Sequence, residues 1–219
     1  MNKYIKVVTT LVFAAFCAFP IDAEDVKKTT FRIEAGYIQP YQFGEGYRTT
    51  YFHGGKIGAT VDFDIKYGMS IQTGLYYLMA YGTNSQSYPH LSEYVDYSTT
   101  MYQLDIPVRF SYTIKIWKDL SLFAFAGPTF NIGLAMPEKA DAHLSAITEE
   151  MTGIQSGTTN LYCKKVLPFN FMLGAGGGIQ WKNYRLQSGY DFGMHNIYRN
   201  TYGYIMKQWN WFASFSYAF

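Results

Sequence analysis

The most constraining feature of this sequence is a long, strict alternation of side-chain character, which is clearest in its final segment, "WNWFASFSYAF". Successive side chains of a β-strand point to opposite faces. One face of this segment therefore carries Trp209, Trp211, Ala213, Phe215, Tyr217 and Phe219. Something apolar must cover that face as far as the last residue, and water cannot do so.

The same alternation recurs in eight segments, most of them longer than the usual strands of soluble proteins. They cover residues 29–40, 54–66, 69–83, 99–116, 119–134, 167–181, 184–197 and 207–219. Short turns at 66–68, 117–119 and 182–183 alternate with longer connections. This arrangement is typical of bacterial outer-membrane barrels. We predict an all-β fold, an eight-stranded antiparallel up-and-down transmembrane barrel with short periplasmic turns and long extracellular loops.

Charged side chains are concentrated on one face of these segments. That face holds Arg32, Glu34, Lys56, Asp62, Asp64, Lys66, Asp105, Arg109, Lys115, Arg185 and Asp191. A lipocalin-like soluble barrel would turn these charges outward to water and its apolar face inward. A lipid-facing Arg or Lys costs about 2–4 kcal/mol at mid-membrane, so the absence of charge along the central part of the other face favours a membrane barrel with its charges in the lumen.

The first 23 residues have the pattern of an export signal. Lys3 and Lys6 precede an apolar stretch that ends near Ala23, and this stretch is shorter than the roughly 20 residues of a membrane-spanning helix. We predict a secretory signal peptide at 1–23, cleaved near Ala23, followed by a barrel domain at 24–219. Cys163 would then be the single cysteine of the mature chain, with no role that its sequence context assigns.

Composition excludes several classes of partner. The formal net charge is +2, which is too small to indicate nucleic-acid binding. The histidines at positions 53, 90, 143 and 195 lack the spacing of metal ligands. We therefore expect no cofactor, no metal and no nucleic acid.

The interior of an eight-stranded barrel is about as wide as side chains can fill. Because buried charges must be paired, we expect a structural ion-pair network formed by Arg32, Glu34, Lys56, Asp62, Asp64, Asp105, Arg109, Arg185 and Asp191. Inward aromatic side chains such as Phe125 and Phe212, with room made by Gly176 and Gly189, would complete a plugged core.

Two features of the extracellular end allow further interpretation. Asp191 and His195 are weak candidates for a rim hydrolase, but positions i and i+4 of a strand lie about 13 Å apart and cannot pair directly. In the long loop, Ala140, Leu144 and Ile147 recur at helical spacing, with Met151 continuing the series. This spacing predicts a short amphipathic helix over 137–151 that caps the barrel.

Four motifs resemble the outer-membrane β-barrel family common in Bacteroidetes, which includes PorT-like proteins. They are "LDIPVRFSY" (104–112), "FAGPTFNIGL" (125–134), "LGAGGGIQW" (173–181) and "GYDFGMHNI" (189–197). The resemblance implies an eight-stranded barrel in the outer membrane and transfers no catalytic residue. It also implies that the final strand is a signal for the barrel-assembly machinery, carried by Trp209, Trp211, Phe215, Tyr217 and Phe219.

The sequence thus favours a non-enzymatic outer-membrane barrel with a filled lumen. Its loops would serve envelope structure, adhesion, or a secretion or surface-assembly system. Tyrosines such as Tyr51 and Tyr94 in these loops suit a protein or glycan partner, or a belt at the lipid headgroups. A rim hydrolase acting on lipid or peptide, and a narrow solute pore, are the alternatives.

Overall fold

The computed structural model describes residues 28–44, 47–88, 93–145, 148–150, 153, 155–199 and 205–219. Its strands are β1 (Lys28–Gly44), β2 (Tyr47–Tyr51), β3 (His53–Asp64), β4 (Met69–Tyr88), β5 (Glu93–Lys115), β6 (Leu120–Ala135), β7 (Pro137–His143), β8 (Gly157–Asn160), β9 (Phe169–Trp181), β10 (Tyr184–Gly193) and β11 (Met206–Ala218). A one-turn helix, α1 (Leu161–Lys164), follows β8. The predicted signal peptide lies outside the described residues. Within them, no helix combines the length and apolar character needed to cross a bilayer.

Eight of the strands form a closed antiparallel ring, which confirms the predicted fold. The ring runs β1, β3, β4, β5, β6, β9, β10, β11 and back to β1. Closure depends on the ladder between β1 and β11, which extends from Arg32 opposite Ala218 to Gly44 opposite Met206. A closed ring leaves no unpaired strand edge in the membrane.

The two ends of the barrel differ in the length of their connections. Short turns join β3 to β4, β5 to β6 and β9 to β10, and they lie at the end where β1 begins and β11 finishes. Tyr67, Gly68 and Lys182 adopt positive φ angles in these turns, as tight connections between antiparallel strands require. This is the periplasmic end of the barrel.

At the other end, β4 and β5 continue well past the ring and remain paired as far as Tyr88 opposite Glu93. Strand β7 pairs with the extended part of β5, and β8 pairs with β7. We call this four-stranded unit, formed by residues 82–88, 93–99, 137–143 and 157–160, the extracellular sheet.

The helix predicted over 137–151 is wrong in its first half, because Pro137–His143 form strand β7. Residues 138–143 pair with residues 94–99 of β5, and this ladder satisfies backbone groups that a helix would have bonded internally. Thr148 to Glu150 are helical, whereas Ile147 and Met151 lie outside the described residues. Helical spacing of four apolar residues therefore did not predict the structure of this segment, because pairing with the long neighbouring strand β5 stabilises an extended chain instead.

Exposure follows the predicted faces. Phe31, Ile57, Phe110 and Phe215 are each 50% exposed or more on the outer wall. Aromatic side chains cluster at both ends of this wall. Around Trp209 lie Tyr41, Phe43, Tyr190 and Phe192 on the extracellular side, and Trp181, Tyr184, Tyr217 and Phe219 lie on the periplasmic side. Such girdles mark the two membrane interfaces.

Candidate functional site in the barrel lumen

The periplasmic part of the lumen is built around Asp62. Its Oδ2 atom lies 2.9 Å from Nε of Arg32 and 3.1 Å from a terminal nitrogen of Arg185. The side-chain oxygen of Gln180 also accepts hydrogen bonds from both arginines, at 3.3 Å and 2.9 Å. The Arg185 guanidinium lies 4.4 Å from the centre of the Phe123 ring. Two arginines share the single carboxylate of Asp62, so one positive charge is not balanced by it. The Phe123 ring stabilises part of that charge by a cation–π contact.

Glu34 is the best-satisfied buried charge. Lys56 forms an ion pair with it at 2.9 Å. Its carboxylate also accepts hydrogen bonds from Tyr76 at 2.7 Å, Gln187 at 2.9 Å and Ser214 at 2.6 Å. Strands β1, β3, β4, β10 and β11 each contribute one of these groups, so a single carboxylate ties together five strands.

The aromatic side chains of the lumen pack against its cations. Nζ of Lys56 lies 4.1 Å from the centre of the Phe212 ring. The Arg109 guanidinium lies 4.8 Å from the same ring and 4.7 Å from Phe125, while it binds both carboxylate oxygens of Asp191 at 3.1 Å and 3.0 Å. Cations and rings therefore alternate across the barrel axis, and each fills space that the other leaves.

Glycines on the inward face make this packing possible. A Cβ atom added to Gly189 would lie 2.7 Å from Cζ of Phe212 and 3.0 Å from Cζ of Phe125. A Cβ on Gly176 would lie 2.5 Å from Cζ of Phe125. These two positions accept the rings only because they carry no side chain.

A layer of amide side chains lies towards the extracellular end. Gln208 exchanges hydrogen bonds with Gln103 at 3.3 Å and 3.5 Å and accepts one from Gln42 at 3.0 Å. Asn131 donates to Gln103 at 3.0 Å and to Asp105 at 2.5 Å. Among the described residues Asp105 has no ion-pair partner. Its carboxyl group belongs to the amide layer rather than to the ionic part of the lumen.

The predicted lumen charges divide into two groups. Eight of them are buried, namely Arg32, Lys56, Arg109 and Arg185 with Glu34, Asp62, Asp105 and Asp191. Asp64 is half-buried at the end of β3, and Lys66 and Lys115 are exposed. The prediction that Lys66 and Lys115 point into the lumen is wrong. Strand β3 ends at Asp64, before Lys66, and Lys115 is the last residue of β5. The buried set is formally neutral, four positive against four negative.

Above the amide layer, an apolar cluster covers the barrel axis. It consists of Phe52, Ala80, Met101, Met136, Leu161, Tyr162, Val166, Ile197 and Met206, and we call it the lid. Helix α1 supplies two of these residues. The helix is fixed by Asn160, whose side-chain oxygen accepts hydrogen bonds from the backbone N–H groups of Tyr162 and Met136.

Tyr162 joins the lid to the amide layer. Its hydroxyl accepts a hydrogen bond from Gln103 at 2.6 Å, and its ring occupies the space in which a Cβ of Gly133 would lie, at 2.3 Å. Burial raises the pKa of Tyr162 above its ordinary value, and Gln103 opposes this only in part. The cap that sequence spacing placed at 137–151 is therefore supplied by α1 and its neighbours.

The two rim candidates are held by different partners. Asp191 binds Arg109 and accepts a hydrogen bond from Thr129 at 3.3 Å. Nε2 of His195 lies 3.1 Å from the Phe169 carbonyl oxygen, and its Nδ1 accepts from the Phe171 N–H at 3.4 Å. The structure does not bring them together as an acid–base pair. The described residues contain no cluster of three His, Cys, Asp or Glu side chains able to hold a metal; His90 lies outside them.

The amide layer and Tyr162 were missed by sequence reasoning. Three glutamines of this layer, Gln42, Gln103 and Gln208, occupy inward positions on β1, β5 and β11. At such positions an uncharged polar side chain gives a weaker signal than Arg or Asp. Tyr162 lies in a loop, where strand alternation carries no information.

Comparison with known proteins is consistent with this geometry. Residues 23–199 match the family described as outer membrane protein beta-barrel domain. The chain belongs to this family. It is thus a protein of the bacterial outer membrane, and its apolar outer wall contacts lipid. No curated protein has a sequence that matches the chain.

Three solved structures are similar to this chain at low sequence identity. Ail, the attachment invasion locus protein of Yersinia pestis, crystallised with the heparin analogue sucrose octasulfate, is 17% identical, with 88% of this chain and 99% of Ail covered and a TM-score of 0.41. Neisserial surface protein A is 11% identical, with 88% of this chain and 100% of that protein covered and a TM-score of 0.45. OprG of Pseudomonas aeruginosa is 12% identical, with 90% of this chain and 99% of OprG covered and a TM-score of 0.44. The family assignment therefore depends on the sequence match.

Proposed function

We propose that this protein is a non-enzymatic outer-membrane barrel, closed to solutes, that holds its extracellular sheet and loops in place for recognition at the cell surface. The observation that carries this proposal is the continuous filling of the lumen. Paired charges and aromatic rings occupy its periplasmic and central parts, the amide layer follows, and the lid covers the extracellular mouth. A water-filled pore would need a continuous polar path past each of these levels.

The extracellular sheet supports a role in recognition. Two of its four strands are extensions of β4 and β5 of the barrel, and β7 and β8 pair onto them, so a rigid, membrane-anchored base holds the sheet outside the cell. Tyr94 stacks on His143 across β5 and β7 at 4.5 Å, and Tyr94 is 41% exposed. Exposed aromatic side chains on a rigid support are well suited to contact a protein or glycan partner.

The PorT-like resemblance of the strand motifs favours one kind of role over the others. We propose that the partner belongs to a secretion or surface-assembly system. The two alternative roles for the extracellular sheet and loops are adhesion and a purely structural role in the envelope. The engagement of Asp191 by Arg109, and of His195 by the β9 backbone, favours a non-enzymatic barrel over a rim hydrolase.

Electrical recording tests the closed lumen directly. The purified full chain, reconstituted in a planar bilayer, is expected to give no steady open level, because no described level of the lumen is left unfilled. A positive control is a barrel of known conductance inserted under the same conditions. Reproducible unitary currents from independent preparations would contradict the proposal and favour the narrow pore.

Site-specific photo-crosslinking in intact cells tests the recognition role. A crosslinker at Lys139, which is exposed on β7, is expected to capture one defined envelope protein. The matched control is Lys118 in the periplasmic turn between β5 and β6, which is also exposed and should not capture the same protein. Equal capture from both positions, or capture of a different protein in each experiment, would count against a specific partner at the extracellular sheet.

A further inference from the structure

Two strands separate on the outer wall, near the extracellular end of the barrel. Strands β3 and β4 are paired up to His53 opposite Tyr81. Beyond that pair, the chain of β2 turns away to pair with β1, with Tyr41 opposite Tyr51, while β4 continues alongside β5. A cleft of about 560 Å³ opens between them, lined by Thr49, Tyr51, His53, Tyr81, Gly82, Thr83, Asn84 and Ser85. We call it the β2–β4 cleft.

The two walls of the cleft are connected by side-chain hydrogen bonds and not by a backbone ladder. The amide nitrogen of Asn84 on one wall donates to the Thr49 carbonyl oxygen at 2.9 Å and to the Thr50 hydroxyl at 3.3 Å on the other. Nδ1 of His53 lies 2.5 Å from the Tyr37 hydroxyl, and Tyr51 stacks on Tyr41 at 4.5 Å. Its shape is thus fixed before any ligand arrives.

The lining groups are aromatic faces and neutral hydrogen-bonding groups. Tyr51 is 55% exposed and Tyr81 is 49% exposed, and hydroxyls of Thr49, Thr83 and Ser85 lie nearby. Among the described residues, none that lines the cleft is Asp, Glu, Lys or Arg, and the Asp96 carboxylate on β5 accepts a hydrogen bond from the Ser85 hydroxyl at its edge. Flat aromatic surfaces beside several hydroxyls match a saccharide, which presents C–H faces to rings and hydroxyls to polar side chains. The volume lies within the usual range for small-molecule sites, roughly 300–1,000 Å³.

The height of the cleft identifies where such a saccharide comes from. On the outer face of β4, Leu75, Tyr77 and Met79 continue the apolar band of the barrel, and Thr83 and Ser85 beyond them are polar. The cleft begins at this change, where acyl chains give way to headgroups. We propose that the β2–β4 cleft binds the saccharide headgroup of a glycolipid in the outer leaflet of the membrane.

Binding of rough-type lipopolysaccharide, which carries core sugars, to the purified full chain in detergent tests this proposal. Native mass spectrometry would measure the fraction of barrels with lipid bound. We expect Tyr51→Ala with Tyr81→Ala to weaken binding about tenfold, which corresponds to about 1.4 kcal/mol for the two rings together. A second variant, Thr83→Trp, fills the cleft without removing a ring and should also weaken binding.

Tyr77→Ala is the matched control, because Tyr77 lies on the same face of β4, is 42% exposed and is outside the cleft; it should leave binding unchanged. Each variant must migrate as a folded barrel in an unheated gel. Phosphatidylglycerol, an anionic lipid without a sugar headgroup, is expected to bind less tightly than lipopolysaccharide, and free core oligosaccharide is also expected to bind less tightly. Equal binding of phosphatidylglycerol, or insensitivity to both cleft variants, would overturn the site. Free oligosaccharide that binds as tightly as lipopolysaccharide would overturn the lipid-linked ligand.

Discussion

The buried charges of this barrel show how one side chain can control several strands. An unpaired ion in a low-dielectric interior costs several kcal/mol, whereas a paired and hydrogen-bonded ion is tolerated. Glu34 is 1% exposed and receives Lys56, Tyr76, Gln187 and Ser214. These four groups stabilise the Glu34 carboxylate, and buried Lys56 in turn depends on that carboxylate as its counterion.

Substitution of Glu34 tests this dependence. We expect Glu34→Gln to lower the free energy of unfolding by about 3–5 kcal/mol, because it leaves Lys56 charged and buried without its counterion. Urea unfolding in lipid vesicles, followed by tryptophan fluorescence, measures the change. The control is Asp141→Asn, which breaks the exposed pair with Lys139 and should cost about 1 kcal/mol or less. Similar losses from both variants would show that burial does not set the strength of these pairs.

Two glycines provide a matched pair for the packing of the lumen. We expect Gly189→Ala to destabilise the barrel by about 1–3 kcal/mol, because the new methyl group meets the Phe212 ring at 2.7 Å. Gly55 faces outward on β3, and its nearest neighbour for a new Cβ is the Gly36 carbonyl oxygen at 3.7 Å. Gly55→Ala should leave stability unchanged or raise it by about 0.5–1 kcal/mol. The same unfolding measurement applies, and a harmless Gly189→Ala would show that the lumen is loosely packed.

At the scale of elements, the extracellular end is organised by long-range pairing rather than by local propensity. Strand β7 forms because β5 continues beyond the end of its ladder with β6 and offers an edge of backbone groups that β7 can pair. Helix α1 is only one turn long and would not be stable in isolation. It forms because Asn160 caps it and because Leu161 and Tyr162 are buried in the lid.

The buried hydroxyl of Tyr162 predicts a pH dependence of stability. Its pKa is about 10 in an unfolded chain and is raised in the folded protein. The hydroxyl therefore contributes its full stability below about pH 10, and this contribution is lost as the pH rises through the window above it, by about 1.4 kcal/mol per pH unit. Wild type and Tyr162→Phe should be compared by urea unfolding between pH 9 and pH 11.

Every other tyrosine is present in both proteins, so the difference in their stability isolates Tyr162. Below about pH 10 the wild type should be the more stable of the two. Its advantage should shrink or reverse as the pH rises. A difference that stays constant with pH would mean that the hydroxyl is accessible to water in the folded state.

At the scale of the whole molecule, the barrel is closed by its last strand. The N–H of Phe219 donates to the Phe31 carbonyl oxygen at 3.1 Å, and its ring lies edge-on to Tyr217 at 5.3 Å. Phe219 is 75% exposed at the periplasmic end of the lipid-facing wall. It therefore adds little to the core, and we propose that it acts during insertion, as the family resemblance implies.

Removal of Phe219 separates folding from assembly. We expect the truncated chain to refold in detergent as well as wild type, but to accumulate several-fold less in the outer membrane of cells. Trp117→Ser is the control, because Trp117 is 77% exposed at the same end of the barrel and should not affect assembly. The gel shift between unheated and boiled samples measures the folded fraction. Equal loss in detergent and in cells would assign Phe219 a role in stability instead.

The amino-acid sequence by itself determined the eight strands of the ring, the short turns and the two faces. A period of two places every second side chain in the same environment, and exclusion of charge from one of the two faces left lipid as the medium outside. These are local properties, which can be deduced along one segment at a time.

Only the tertiary structure decided which side chains meet. Glu34 and Ser214 are 180 positions apart and come together because β1 pairs with β11 in one register. Alternation does not specify that register, nor the offset of strands around the ring. The sharing of Asp62 by two arginines, the separation of Asp105 from the ion pairs, the lid on α1 and the β2–β4 cleft all depend on it. They are consequences of closing the ring, where neighbours are set by geometry rather than by distance along the chain.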